Sequence, residues 1–340
     1  MVTIKQIADM CGVSRGTVDR VLNERGNVRP DKYKLILDVI KKLHYKPNPA
    51  GKALVSRRNK PTVGILLPAE GIQFFDDIIA AMQLAEEKYK LFGLNVLWRF
   101  MPGYDEQKQC ELMDELKPNI NALILNPIND DKIRQKIDEL IDDGIFVVAI
   151  NNDIEGVKPH QYVGSNYTDG GRTAAALLKK FCPQGAKIGI TLGSSLMLGH
   201  KNRELGFRSV LAQDNRFSVV AVTEDNDDDI HAFERVTTML KKYPEITALF
   251  LASSGGAYGV CRAVVSLSLE QNITVIAFDT IPAIVEMMRR GVVDAAIYQH
   301  PRQQGEKAMQ IVFDYLINGI KPEHDAHIMQ NDIRILQNVE

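Results

Sequence analysis

Long apolar runs are missing from this chain. The longest, such as Val63–Leu67 and Phe146–Ile150, have the length of a strand, far below the roughly 18 residues of a membrane span. The N-terminus has no apolar core followed by a cleavage site, so no secretion signal is read there. Cysteine is scarce. Cys11, Cys110, Cys182 and Cys261 are scattered with no CxxC spacing, a pattern of free thiols in a reducing cytoplasm rather than of a disulfide framework or a zinc site. Catalytic motifs are absent too: no GxSxG, no HExxH and no GxxxxGK[ST]. The glycine-rich Ser253–Gly259 segment lacks a phosphate-loop lysine. His324 and His327 have a possible metal spacing but sit in a polar connection, where solvated histidines are expected. No metal, cofactor or enzymatic activity is therefore expected, and a cytoplasmic location is.

What is present is unevenly distributed. Residues 1–60 carry fourteen Lys/Arg against five Asp/Glu, while the rest carries 27 against 38. A net charge near zero thus hides a basic head on an acidic body, as expected if only the head meets a polyanion. The head reads as helices. Thr3 and Gln6 form a capping-box pair ahead of Ile4, Ile7 and Ala8. Gly12 suits a left-handed turn. Ser14 then caps a second helix whose Val18, Val21 and Leu22 make an apolar stripe, with Arg15, Gly16, Asp19 and Arg20 facing outward. A third helix, from about Pro30 to Leu43, points Tyr33, Ile36, Ile40 and Leu43 inward. Two short helices joined by a tight turn, the second presenting arginines, can enter a DNA major groove, where arginine bridges guanine O6 and N7.

The stretch from Ile4 to Asn23, followed by Tyr45-Lys-Pro-Asn-Pro-Ala-Gly-Lys-Ala-Leu54, resembles the lactose-repressor family of bacterial transcription regulators. The resemblance implies that Arg15, Gly16 and Arg20 occupy base-reading positions, with Ser14, Thr17, Asn23 and Asn48 near phosphates. It implies a hinge helix in 47–60, with Lys52 on the DNA and Leu54 wedged between central base pairs of a pseudo-palindromic double-stranded operator. The chain departs from the family at three places. Gly16 has no side chain to read with, Asp19 stands where serine is common, and Gly51 raises the cost of forming the hinge helix by about 1 kcal/mol. A homodimer is expected, since no leucine heptads end the chain.

From Pro61 onward, nine strand-like runs alternate with helical patterns: 63–68, 94–100, 122–127, 146–150, 187–193, 219–224, 248–253, 274–279 and 295–299. Continuous apolar strands between helices imply parallel sheets covered on both faces. The pattern divides near Val163–Asn166 into two similar halves. The expected architecture is a small all-α helix-turn-helix head (1–46), a hinge (47–60) and an α/β effector-binding body (61–340). That body has a two-lobed periplasmic-binding-protein-like fold, also implied by the resemblance. Lobe one is expected at about 61–163 and 293–320, and lobe two at about 164–292 and 321–340.

Ligands of open parallel sheets bind at the carboxyl ends of strands. That rule selects Phe74, Phe75, Asp76 and Asp77 after the first strand, Asn126 after the third, and Asn151, Asn152 and Asp153 after the fourth. In the second half it selects the Ser194–His200 loop, Asn202, Arg203, Ser253, Ser254, Asp279 and Gln299. Rings, carboxylates, amides and one arginine suit a sugar or polyol. The expected effector residues are Phe74, Phe75, Asp76, Asn126, Asn152, Asp153, Arg203, Ser254, Asp279 and Gln299. The resemblance places sugar contacts at Phe74/Phe75, Asp153, Arg203, Asp279 and Gln299. Ser253-Ser254-Gly255-Gly256, where the family often has Asn-Asp, is a departure. Asp76 and Asp77 also suit helix capping, Trp98 suits strand packing, and Gly170-Gly171 suits a close-packed lobe crossing. The expected function is a ligand-responsive repressor of carbohydrate-utilisation genes. The alternatives are a sugar-binding transport receptor, or a regulator answering a non-sugar metabolite such as a nucleobase or sugar phosphate.

Overall fold

The structure is a computed structural model and describes residues 2–22, 26–43, 45 and 60–339. Asn23, Asn48, Gly51, Lys52 and Leu54 lie outside the described residues, and the hinge reading with them.

The head holds α1 (Ile4–Cys11), α2 (Arg15–Leu22) and α3 (Pro30–Lys42). Thr3 and Gln6 make the reciprocal capping box, and Gly12 closes α1 in the left-handed region at φ 61°. The Thr17 amide donates to Ser14 Oγ at 3.2 Å, so Ser14 caps α2. Ile7, Ala8, Cys11, Val18, Val21 and Ile36 form a small core. Tyr33 corrects the inward face expected for α3: its ring is exposed, and only Ile36 of that helix is fully enclosed. A core built from three helices of 8, 8 and 13 residues is too small to cover a ring one turn from its centre.

Two six-stranded sheets form the body. The first runs in the order β11-β5-β4-β3-β1-β2 and the second β12-β10-β9-β8-β6-β7. Their strands are β1 (Thr62–Glu70), β2 (Asn95–Pro102), β3 (Ala122–Leu125), β4 (Phe146–Ile150), β5 (Gln161–Ser165), β6 (Ala186–Leu192), β7 (Phe217–Glu224), β8 (Ala248–Leu251), β9 (Thr274–Phe278), β10 (Ala295–Tyr298), β11 (Ala326–Met329) and β12 (Asp332–Arg334). Every pairing is parallel except β10 with β12. Ile65 sits between Trp98 and Ile124, in a register that keeps β1 apolar on both faces.

Helices cover both sides of each sheet. In lobe one, α4 (Phe74–Lys90) lies on one face, and α5 (Glu106–Leu116) and α6 (Asp131–Asp142) lie on the other. In lobe two, α7 (Tyr167–Phe181) and α8 (Leu198–Leu211) oppose α9 (Asp229–Lys242), α10 (Ala257–Ser266) and α11 (Pro282–Arg289). Then α12 (Pro301–Phe313) returns to lobe one and packs beside α4.

The chain passes between the lobes three times, and this revises the expected partition. Residues 295–298 belong to the second sheet, where β10 pairs with β9. Residues 326–329 belong to the first, where β11 pairs with β5. An apolar run announces a strand but not the sheet that accepts it; here β10 stays beside β9, and the crossing comes one residue later, at Gln299–Pro301. There His300 takes a left-handed φ of 56°.

Gly170-Gly171 also has a different setting from the one expected. A side chain on Gly171 would collide with the Arg203 backbone, and one on Gly206 with the Thr168 carbonyl. The two glycines bring α7 and α8 of lobe two together rather than marking a crossing. The contact fixes the backbone from which Arg203 projects.

Candidate functional site: an interlobe cavity and a helical head

A narrow cavity lies between the lobes, lined by Ile72, Phe74, Phe75, Tyr104, Asn151, Met197, His200, Arg203, Asp227, Ser253, Ser254, Asp279 and Gln299. Each residue follows the carboxyl end of a strand, where parallel sheets leave a crevice. Phe74 and Phe75 begin α4, packed edge to face with centroids 5.4 Å apart. Both line the cavity and both belong to the lobe-one core.

Opposite the rings runs a buried polar chain. Arg203 donates to the Ala252 carbonyl and to Gln299 Oε1, both at 2.7 Å. Gln299 in turn donates through Nε2 to Asp279 Oδ2 at 2.7 Å and through its backbone amide to Oδ1 at 3.2 Å. The Arg203 guanidinium lies over Phe278, 4.0 Å from the ring centre, and faces Tyr167 at 4.9 Å. Burial pushes the Asp279 carboxyl up to about 6, against the opposing pull of Arg203. His200 accepts from the Ser194 amide at Nδ1, at 3.1 Å. Burial and the nearby Arg203 charge hold its imidazole down at about 3. His200 is thus neutral, with Nε2 as a hydrogen-bond donor.

Asp227 is the second carboxylate of the cavity. Burial pushes it up to about 6, opposed by Ser253 and the Gly255 amide. It accepts from the Ser253 hydroxyl and, across the cleft, from the Tyr104 hydroxyl. Side chains on Gly193 or Gly255 would strike Asp227, so both flanking loops are glycine where the carboxylate sits.

Of the ten expected effector residues, six line this cavity: Phe74, Phe75, Arg203, Ser254, Asp279 and Gln299. Four do not. Asp76 is exposed in the first turn of α4, turned away from the cavity by the helix that carries Phe75 into it. Asn126 is fully buried and donates to the Ile150 carbonyl at 3.0 Å, tying β3 to β4. Asn152 spans the lobes: Nδ2 donates to the Pro127 carbonyl at 2.9 Å, and Oδ1 accepts from the Gly199 amide at 2.7 Å. Asp153 opens instead onto a separate groove with Lys158, Asn202 and Asp325. The residue of that run that does line the cavity is Asn151, in a left-handed turn at φ 60°. Tyr104 and Asp227, both unanticipated, follow the edge strands β2 and β7. The strand-end rule that selected the others applies to them equally.

In the head, Arg15, Gly16 and Arg20 are exposed on α2. Arg20 folds back on its own helix, donating to the Gly16 carbonyl at 3.2 Å and to Thr17 Oγ1 at 3.4 Å. Thr17 is also bonded to Ser14 through the two hydroxyls, 3.0 Å apart. These bonds are local, so DNA can displace them without disturbing the helical core. No helix of the described residues is long and apolar enough to cross a membrane.

Two lobes closed over a polar cavity, behind a separate helical unit, define a ligand-sensing body with a DNA-binding head. Residues 63–320 match the periplasmic binding protein domain family, and residues 3–48 match the bacterial regulatory proteins of the lacI family. The body thus belongs to the periplasmic binding protein domain family and the head is that of the lacI family of DNA-binding transcription regulators. The chain is similar to the HTH-type transcriptional regulator GalS of Salmonella typhimurium, with 25% identity over 83% of this chain and 81% of that one. The HTH-type transcriptional regulator MalR of Clostridium butyricum is 23% identical over 97% of this chain and 98% of its own. Among solved structures, GanP, a glucose-galactose binding protein from Geobacillus stearothermophilus, superposes with a TM-score of 0.75 at 21% identity, over 82% of this chain and 99% of that one.

Proposed function

We propose that this regulator is a homodimeric repressor of carbohydrate-utilisation genes, and that a sugar or polyol held in the interlobe cavity changes its affinity for a pseudo-palindromic operator. The observation that carries the reading is the opposition of Phe74 and Phe75 to the Arg203–Gln299–Asp279 chain across one closed cavity. Rings cover the apolar face of a sugar while carboxylate and amide take its paired hydroxyls. The sugar named for the similar binding protein is in keeping with this.

The ligand acts by differential affinity. It contacts both lobes only when they are closed, so it favours that state by the contacts it gains there. A ligand bound equally by open and closed forms would shift nothing. In the head, Arg20 reads bases and Ser14 and Thr17 lie toward phosphates, with residues 47–60 linking head to body.

Selection of an operator from random DNA with the full chain, followed by fluorescence anisotropy with and without a panel of sugars and polyols, tests this. At least one compound is expected to raise the melting temperature and to change operator affinity severalfold. Binding that leaves operator affinity unchanged would sink the coupling. Arg20→Ala is expected to cost about 1–3 kcal/mol on the selected site and little on random DNA; equal losses on both would remove Arg20 from base reading.

A further inference from the structure

The charges lining the cavity do not balance. Arg203, Asp227 and Asp279 contribute one positive and two negative groups, and His200 is held neutral. Arg203 is already engaged with a carbonyl, with Gln299 and with the Phe278 ring. Among the described residues, no ion pair joins Asp227 or Asp279 to a cation. Asp279 at least lies within the field of Arg203. Asp227 does not: its partners are two hydroxyls and a backbone amide, all neutral.

The acidic run around Asp227 sharpens the point. Glu224 accepts from the Ser195 amide, Asp225 from the Asp227 amide, Asp228 caps α9 and Asp229 accepts from the Gly259 amide. Each of these four carboxylates anchors backbone. Asp227 alone among them lines the cavity, held there by a left-handed backbone at φ 55° and by the bare Gly193 and Gly255 beneath it. A carboxylate needed only to order the loop would not require two neighbouring loops to give up their side chains. Its lobe-one partner is the Tyr104 hydroxyl, a group that a ligand donor can replace.

We propose that the effector is a polyhydroxylated ring bearing a protonated amine, an amino sugar or aminocyclitol, and that Asp227 is the specificity-determining residue that receives the ammonium group. The proposal rests on the sugar reading of the same cavity and adds the charge. A buried carboxylate with no cation is unfavourable, and an ammonium placed against it restores pairing and supplies a charge-assisted hydrogen bond. A neutral hydroxyl at the same place would hydrogen-bond but leave the excess negative charge buried. Phe74 and Phe75 and the Asp279–Gln299 pair would hold the rest of the ring.

The test is titration calorimetry and thermal shift of the full chain with matched pairs: D-glucosamine with D-glucose, D-galactosamine with D-galactose, and scyllo-inosamine with scyllo-inositol. In at least one pair the amine is expected to bind tenfold or more tighter than its neutral counterpart. Asp227→Asn, which is isosteric, should abolish that preference by weakening the amine far more than its neutral counterpart; a cooperative melt without ligand at or above the wild-type temperature shows that the fold survives. Neutral members binding as tightly as amines would overturn the charge assignment and leave the sugar reading intact. An Asp227→Asn variant that weakens both members alike would also overturn it. Binding by no member of any pair would overturn the sugar reading itself.

Discussion

The two lobes contribute unlike halves of the cavity. Lobe one brings Ile72, Phe74, Phe75, Tyr104 and Asn151, a surface of rings and apolar side chains with one amide. Lobe two brings Arg203, Asp227, Asp279, Gln299, His200 and two serines, nearly all of the charge and most of the hydrogen-bonding capacity. A polar ligand can therefore satisfy its hydroxyls on lobe two first, and lobe one then closes over it as an apolar cover. The difference suits a switch. Docking on one lobe gives recognition, whereas closure of the other is the step that the ligand biases.

Breaking the lobe-two half should have the largest effect. Arg203→Ala removes the only cation of the cavity and leaves Gln299 and Asp279 without it, at an expected cost of about 3–5 kcal/mol. Chemical denaturation should show it, and ligand binding should disappear; a loss under 1 kcal/mol would mean that the chain of bonds is dispensable. Gly171→Ala tests the platform beneath. The added methyl meets the Arg203 backbone, and overpacking of this kind costs about 1–3 kcal/mol. If α7 and α8 tolerate it with no change in melting temperature, their contact is not what positions Arg203.

The buried carboxylate gives a pH signature. Asp227 rises from 3.8 to about 6 on folding, so the folded state holds its proton more tightly than the unfolded chain. The associated stability is present below about pH 4 and is lost as pH rises towards 6. Asp227→Asn removes this loss. The variant should match the wild type near pH 4 and melt several degrees higher at pH 7, since a rise of that size is worth up to about 3 kcal/mol. A gap independent of pH would contradict the burial of an ionisable group there.

Asn152→Ala should have the smallest effect and separates closure from recognition. It deletes the bond to the Gly199 amide across the cleft and should weaken the closed state by about 1 kcal/mol. Ligand affinity should fall about fivefold, with lobe-two hydrogen bonding intact. A loss as large as that of Arg203→Ala would mean that lobe one recognises the ligand as well as covering it.

How far these features were legible in the sequence depended on how strictly local rules govern them. The capping box at Thr3, the turn at Gly12 and the nine apolar strands follow from side-chain chemistry within a few residues. Strand β5 was not anticipated, because Gln161, Gly164 and Ser165 read as polar loop. They are buried only because their partners come from elsewhere: Gln161 bonds to His324, and Tyr162 to the Asn151 and Ser165 carbonyls. Strand β11, Ala-His-Ile-Met, is only four residues long and a largely exposed edge, too short a run to stand out as a strand. Within the cavity, alternation along β4 ends at Asn151, whose left-handed turn reorients the following side chains. Asn152 is then directed to the other lobe and Asp153 out of the cavity, which no periodic pattern encodes. Asp227 was obscured by its neighbours: five acidic residues in six read as a solvated loop, and only the glycines of two distant segments show which one turns inward.

The three crossings between lobes also constrain the order in which the chain is completed. Sheet one receives its last strand, β11, only after every helix of lobe two has been synthesised, and β12 finishes sheet two a few residues later. Neither lobe corresponds to a continuous stretch of polypeptide. On the ribosome, the first sheet must wait with an open edge along Gln161–Ser165 until residue 329 emerges, and a chain stopped after Ile320 would leave both sheets one strand short.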